Sequence, residues 1–155
     1  MTPLPRRAFL GGVAIILAVP IAACAQTPGR SEIAVYKTPT CACCDGWVRH
    51  LRDARFDVSV TVTTDLATLR SRHGMPDALA SCHTALIGDY VIEGHVPAED
   101  VRRLLIERPD AVGLSVPGMP LGSPGMETAD GRRETYNTLL VLKDGRTRVF
   151  ARHNA

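Results

Sequence analysis

The feature that most limits the fold is a change of hydrophobic period that recurs along the chain. Short strand-like runs alternate with helical stripes, and the connections are only a few residues long. Ile33-Ala34-Val35-Tyr36 is an apolar run suited to a buried strand. Pro39-Thr40 sets up a helix start with Thr40 as candidate N-cap. Trp47, Val48, Leu51 and Ala54 then repeat at helical spacing, with Arg49, Arg52 and Arg55 on other faces. Val58, Val60 and Val62 alternate with Ser59, Thr61 and Thr63, the period of a strand. Asp65 can cap a second helix carrying Leu66 and Leu69, which Gly74 and Pro76 end. Thr84–Ile87 and Tyr90–Glu93 are joined through Gly88-Asp89, a hairpin signal. A third helix follows Pro97, with Val101, Leu104 and Leu105 on one stripe, and Pro109 stops it. Thr138–Leu142 and Thr147–Phe150, joined through Asp144-Gly145, form a last hairpin. Residues 113–131 carry little regular pattern and are rich in Gly and Pro.

The order βα-βα-ββ-α predicts an α/β protein with a thioredoxin-like core, extended by a C-terminal β-hairpin. At 155 residues there is room for one ordinary domain. The expected boundaries are an export signal over 1–25, a polar linker over 26–32 and the folded domain over 33–155.

Arg6-Arg7-Ala8-Phe9-Leu10 resembles a twin-arginine export signal. The apolar run from Ala8 to Ala23 reaches roughly 24 Å as a helix, short of the roughly 30 Å core of a bilayer. Ile21-Ala22-Ala23-Cys24 looks like a lipoprotein box, in which Cys24 would carry a lipid tether. Ala23-Cys24-Ala25 also fits a small-residue cleavage site with Gln26 first in the mature chain. Either exit places the domain in the periplasm or cell envelope.

The +2 net charge of the whole chain resides in Arg6 and Arg7, the only charged side chains before Arg30. Beyond them acidic and basic groups balance. That excludes a nucleic-acid binder, which needs a basic surplus to displace counterions from phosphates.

Cys41-Ala42-Cys43-Cys44 stands at the junction of the first strand and first helix. Cys41 and Cys44 form a C-x-x-C pair, the redox spacing, at a helix N-terminus that favours thiolates. Cys43 is surplus to a dithiol switch. Three sulfurs within four residues make a soft site that selects Cu(I), Zn(II) or an iron–sulfur cluster over hard ions. Cys82 is a candidate fourth sulfur, and the competing role for it is a disulfide to the cluster. His83 and His95, the latter at a strand-to-helix turn, are candidate ligands or supports. His50, His73 and His153 are most simply solvated. In the loop from Val116 to Glu127, Pro-Gly turns present Met119 and Met126, whose thioethers suit Cu(I) or fill space beneath the loop.

Four segments, in order, carry a resemblance: Tyr36-Lys37-Thr38-Pro39-Thr40-Cys41-Ala42-Cys43-Cys44, Ser81-Cys82-His83-Thr84-Ala85, Glu93-Gly94-His95-Val96-Pro97 and the Pro-Gly-Met loop. Over residues 33–150 the chain resembles the periplasmic copper-resistance proteins of the CopG type. The resemblance implies a thioredoxin-like fold and a multinuclear copper site bridged by cysteine sulfur. It carries Cys41, Cys43, Cys44 and Cys82 over as metal residues, with Met119, Met126, His83 and His95 as further site residues. Copper ions, and other envelope copper-handling proteins, are the implied partners. A thiol–disulfide oxidoreductase working through Cys41 and Cys44 is the alternative, and a zinc-stabilised interaction module a third. Copper redox at thiolates would itself be an activity, so the first two are not exclusive.

Overall fold

The computed structural model describes residues 32–154. The expected export signal, Cys24 and all of the linker but Glu32 lie outside the described residues. Among those described, no helix is long and apolar enough to cross a membrane.

The fold is mixed α/β, with seven strands in one sheet and three α-helices. In chain order these are β1 (Glu32–Lys37), α1 (Ala42–Asp53), β2 (Asp57–Val62), α2 (Leu66–Arg72), β3 (His83–Ile87) and β4 (Tyr90–Gly94). They are followed by α3 (Ala98–Glu107), β5 (Gly113–Val116), β6 (Tyr136–Val141) and β7 (Thr147–His153). A 3-10 turn, Asp77–Leu79, leads into β3. The sheet order is β2-β1-β3-β4-β5-β6-β7. β1 runs parallel to β2 and antiparallel to β3, and β4 runs parallel to β5.

Side chains alternate across a strand, so neighbours in sequence belong to opposite faces. Ile92 joins the main core with Ile33, Val35, Ala85 and Leu114, while Val91 joins a smaller cluster with Met75 and Val141 on the other face. α1 and α3 cover the first face. The α1 stripe of Trp47, Val48 and Leu51 is buried as its spacing requires, and Val101 and Leu104 do the same on α3. Each such side chain contributes about 1.5–3 kcal/mol by leaving water. On the edge strand β2 only Val58 is covered, and Val60 and Val62 stay exposed.

Several local expectations change. Glu32, assigned to the linker, opens β1. Thr40 does not cap α1. Pro39 and Thr40 form a turn closed by the Cys41 N–H on the Thr38 carbonyl at 3.4 Å, and the N-cap is Cys41. Proline at the second position of such a turn has its φ preset, which moves the helix start one residue on. Asp65 caps α2 as expected, accepting from the Thr68 N–H at 3.0 Å.

His50 is not a solvated residue. Its Nε2 accepts the Ala98 N–H at 3.0 Å, so a side chain of α1 satisfies one of the orphan donors at the start of α3. His153 is also engaged: Nε2 lies 2.9 Å from the Asp100 carboxylate and 3.0 Å from the Thr138 hydroxyl, with the ring stacked on Tyr136. His73 is exposed, as expected. β5 falls in the stretch without regular pattern. All four of its residues are buried, so it has no polar face to alternate with. Gly113 is required there because a Cβ would collide with the Val91 carbonyl.

Candidate metal centre

Register brings four separate segments to one end of the sheet. The antiparallel pairing of β1 with β3 sets Lys37 opposite His83, so Cys82 begins beside the turn that enters α1. β4 returns along β3 with Glu93 opposite Thr84, which delivers His95 to the same end. β5 runs parallel to β4 with Val116 opposite Gly94, and the Pro-Gly-Met loop leaves from there.

The sulfurs of Cys41, Cys43, Cys44 and Cys82 all lie within 4.8 Å of one another. Cys43 Sγ is 3.4 Å from Cys41 Sγ and 3.7 Å from Cys82 Sγ, and Cys44 Sγ is 3.6 Å from Cys82 Sγ. Cys44 is fully buried and the other three are half-buried. Cys41 and Cys44 are joined in a disulfide, while Cys43 and Cys82 are free thiols. The competing role for Cys82, a disulfide to the cluster, is therefore not the bond that forms. The bridge closes within the C-x-x-C pair, whose Cα atoms are 5.4 Å apart across one helical turn. Burial, followed by the nearby Cys43, pushes the Cys82 thiol up to about 12, so it is protonated in the metal-free protein.

Both histidines adjoin Cys82. His95 Nε2 is 3.1 Å from Cys82 Sγ, and His95 Nδ1 donates to the Pro124 carbonyl at 2.8 Å. A carbonyl can only accept, so Nδ1 carries the proton and the Nε2 lone pair faces the sulfur. Metal-binding histidines are commonly held this way, by a backbone carbonyl on the far nitrogen. His83 Nδ1 is 3.3 Å from Cys82 Sγ. Its ring packs 4.3 Å from Trp47 and edge-on to His95 at 5.0 Å. The His83 Nε2 is buried with no hydrogen-bond partner. Burial, with His95 as a second cause, lowers the His83 pKa to about 3, which keeps the ring neutral.

The loop is pressed onto the first turn of α1. A Cβ on Gly46 would lie 2.8 Å from Gly125 Cα, and one on Gly125 would lie 2.6 Å from the Cys43 carbonyl. Only two glycines allow the backbones so close. Met119 is half-exposed, with its Sδ 3.9 Å from Cys43 Sγ. Met126 is half-buried, in a turn that its N–H closes on the Ser123 carbonyl at 2.8 Å.

Two buried charged residues border the site without having been singled out from sequence. Lys37 pairs with Asp45 at 2.9 Å and donates to the Cys41 carbonyl at 3.4 Å. Glu93 is fully buried, and its carboxyl meets the Ser81 N–H, the Thr84 hydroxyl and the Arg70 guanidinium. Burial raises its pKa, opposed by those three partners. A carboxylate inside the apolar run Tyr90-Val91-Ile92-Glu93 was the available signal. A cleft of about 520 Å³, lined by Ile87, Tyr90, Arg108 and Lys143 among others, shares no residue with the sulfur group.

A solved structure titled "Copper resistance protein copG- Form 1" is 40% identical, with a TM-score of 0.76, covering 81% of this chain and 99% of its own. A second, "Copper resistance protein copG- Form 2", is 41% identical with a TM-score of 0.75, covering 79% and 98%. The chain belongs to the CopG copper-resistance family. A family model described as a protein of unknown function, DUF411, matches residues 79–126, which run from the approach to Cys82 through Met126. No protein of curated function matches. In this CopG homologue the four cysteines form a group able to bind metal, and His83 stands beside it with Nδ1 3.3 Å from Cys82 Sγ.

Proposed function

We propose that this protein binds copper in the cell envelope through a thiolate-bridged, multinuclear Cu(I) site and serves copper resistance. The observation that carries this reading is the convergence of four cysteine sulfurs within 4.8 Å, from segments 38 residues or more apart in the chain. Soft thiolates and thioethers favour Cu(I) over harder ions, and sulfurs so close are suited to bridging, which lets four of them serve more than one ion. Cys41, Cys43, Cys44 and Cys82 supply the thiolates, Met119 a thioether at the exposed rim, and His95 and His83 neutral nitrogens from the buried side. Met126, half-buried in the same loop, is a second candidate thioether. Bound copper would supply a one-electron couple at these thiolates.

The chain's own residues prepare the site. The start of α1 offers its dipole to anionic sulfur, and the Pro124 carbonyl holds the His95 tautomer. Opening the Cys41–Cys44 bond takes two electrons and two protons. A dithiol reductant supplies both and leaves as a disulfide, returning two thiols to the site. The sheet order β2-β1-β3-β4 with α1 and α3 on one face supports a thioredoxin-like core. Arg6-Arg7 and the apolar run after it support export, with Cys24 as a lipid tether.

The test is Cu(I) loading of the reduced protein, read by native mass spectrometry. Several copper ions are expected, and their number should fall in Cys41→Ser/Cys43→Ser. An unchanged copper count in that variant would refute the reading. The Cys41–Cys44 disulfide favours a second reading, a thiol–disulfide oxidoreductase with Cys41 as nucleophile and Cys44 resolving. Turnover of a disulfide substrate by metal-free protein, lost in Cys41→Ser and accompanied by weak copper binding, would put it first.

A further inference from the structure

Cys82 and Met119 are held by strand ends and a loop rather than by a helix, so something must keep them facing α1. We propose that the buried Glu93 carboxylate is the positioning residue of the metal centre, fixing the Ser81–Thr84 segment and, through Ser81, the segment that bears Met119. This inference rests on the copper reading above.

Glu93 Oε1 accepts the Ser81 N–H at 2.7 Å, and Oε2 accepts the Thr84 hydroxyl at 2.6 Å. One carboxylate thus clamps the residues on either side of Cys82-His83. The same Ser81 donates its hydroxyl to the Gly118 carbonyl at 2.5 Å, and the Gly118 N–H returns to the Ala80 carbonyl at 3.5 Å. Met119 follows directly. Glu93 is in turn anchored from outside by Arg70 of α2, 3.6 Å away, which also pairs with Asp77 at 3.2 Å. Hydrogen bonds to a buried carboxylate are short and strong, and such supporting contacts orient metal-binding groups. Two arms of the sulfur group therefore share one buried anchor that touches no sulfur itself.

Glu93→Gln keeps the size of the side chain but can accept through only one of its two positions. Two measurements on the full-length protein test the proposal. Iodoacetamide labelling of the oxidised, metal-free protein is read as the Cys82 to Cys43 ratio, which general loosening moves little because both are free thiols of one site. Cu(I) affinity of the reduced protein is read by competition with a chromophoric chelator. In folded Glu93→Gln the labelling ratio should rise severalfold and the affinity fall about tenfold or more. Either readout within twofold of wild type in a folded variant overturns the proposal. Should Glu93→Gln fail to fold, Arg70→Gln replaces it under the same criteria. If wild type itself fails to bind Cu(I), the copper reading falls and the labelling ratio alone decides the role of Glu93.

Discussion

Cys82 Sγ and His95 Nε2 stand 3.1 Å apart, with the imidazole turned so that its lone pair meets the thiol. Cys82 is thus the hinge of the site: it also lies 3.7 Å from Cys43, 3.6 Å from Cys44 and 3.3 Å from His83. Removing it separates the α1 sulfurs from both histidines.

Cys82→Ala is expected to weaken Cu(I) binding more than Met119→Ala. The first takes out the contact shared by four groups, Cys43, Cys44, His83 and His95. The second removes a half-exposed thioether that reaches one sulfur at 3.9 Å. Competition titrations should show a loss of at least tenfold for Cys82→Ala and only a few-fold for Met119→Ala. Equal losses would contradict this ranking.

Copper affinity should depend on pH through Cys82. Its thiol is held near 12, so across pH 6 to 8 it carries a proton that must leave before the sulfur can ligate. Each proton displaced makes the apparent affinity rise about tenfold per pH unit. Titrations across that range are expected to show a steeper slope in wild type than in Cys82→Ser.

Fold stability should fall on acidification through His50. Burial lowers its pKa below the ordinary 6.5, so near and below that value the unfolded chain takes up the proton before the folded one does. The contribution is complete above about pH 6.5 and declines as pH drops toward the folded-state pKa. His83 and His95 are shifted the same way. His50→Gln keeps an acceptor for the Ala98 N–H but does not titrate. Urea unfolding at pH 7 and pH 5 should therefore show a smaller stability loss in that variant than in wild type.

Gly46→Ala should destabilise the protein by about 1–3 kcal/mol, the usual cost of forcing atoms into a filled interior. The added methyl meets the Gly125 backbone, which cannot rotate away as a side chain would. Thermal unfolding measures the loss, and lifting of the loop from α1 should appear as faster alkylation of Cys43.

Much of the architecture was legible because its signals are periodic. Trp47, Val48 and Leu51 repeat at helical spacing, and Gly88-Asp89 marks a tight turn. β5 was not legible, because a strand buried on both faces has no alternation to detect. The loop looked patternless for a related reason: the fit of Gly125 against Gly46 is a contact between backbones 79 positions apart. Of the residues singled out around the site, Cys41, Cys43, Cys44, Cys82, His83, His95 and Met119 come together at one end of the sheet. His50 and His153 looked free because a histidine's partner is invisible until α3 and β7 are in place. Glu93 was in plain view within an apolar run, yet its meaning depends on the Ser81 and Thr84 groups that the β3–β4 pairing sets beside it.

The arrival of four segments at one sheet end also orders events in the life of the chain. A half-made or misfolded copy owns only three neighbouring thiols, a poor and indiscriminate trap. The fourth sulfur, both imidazoles and the rim thioether join them once β3, β4 and β5 have paired. On the copper reading, retention of the full complement of metal would therefore certify a finished protein.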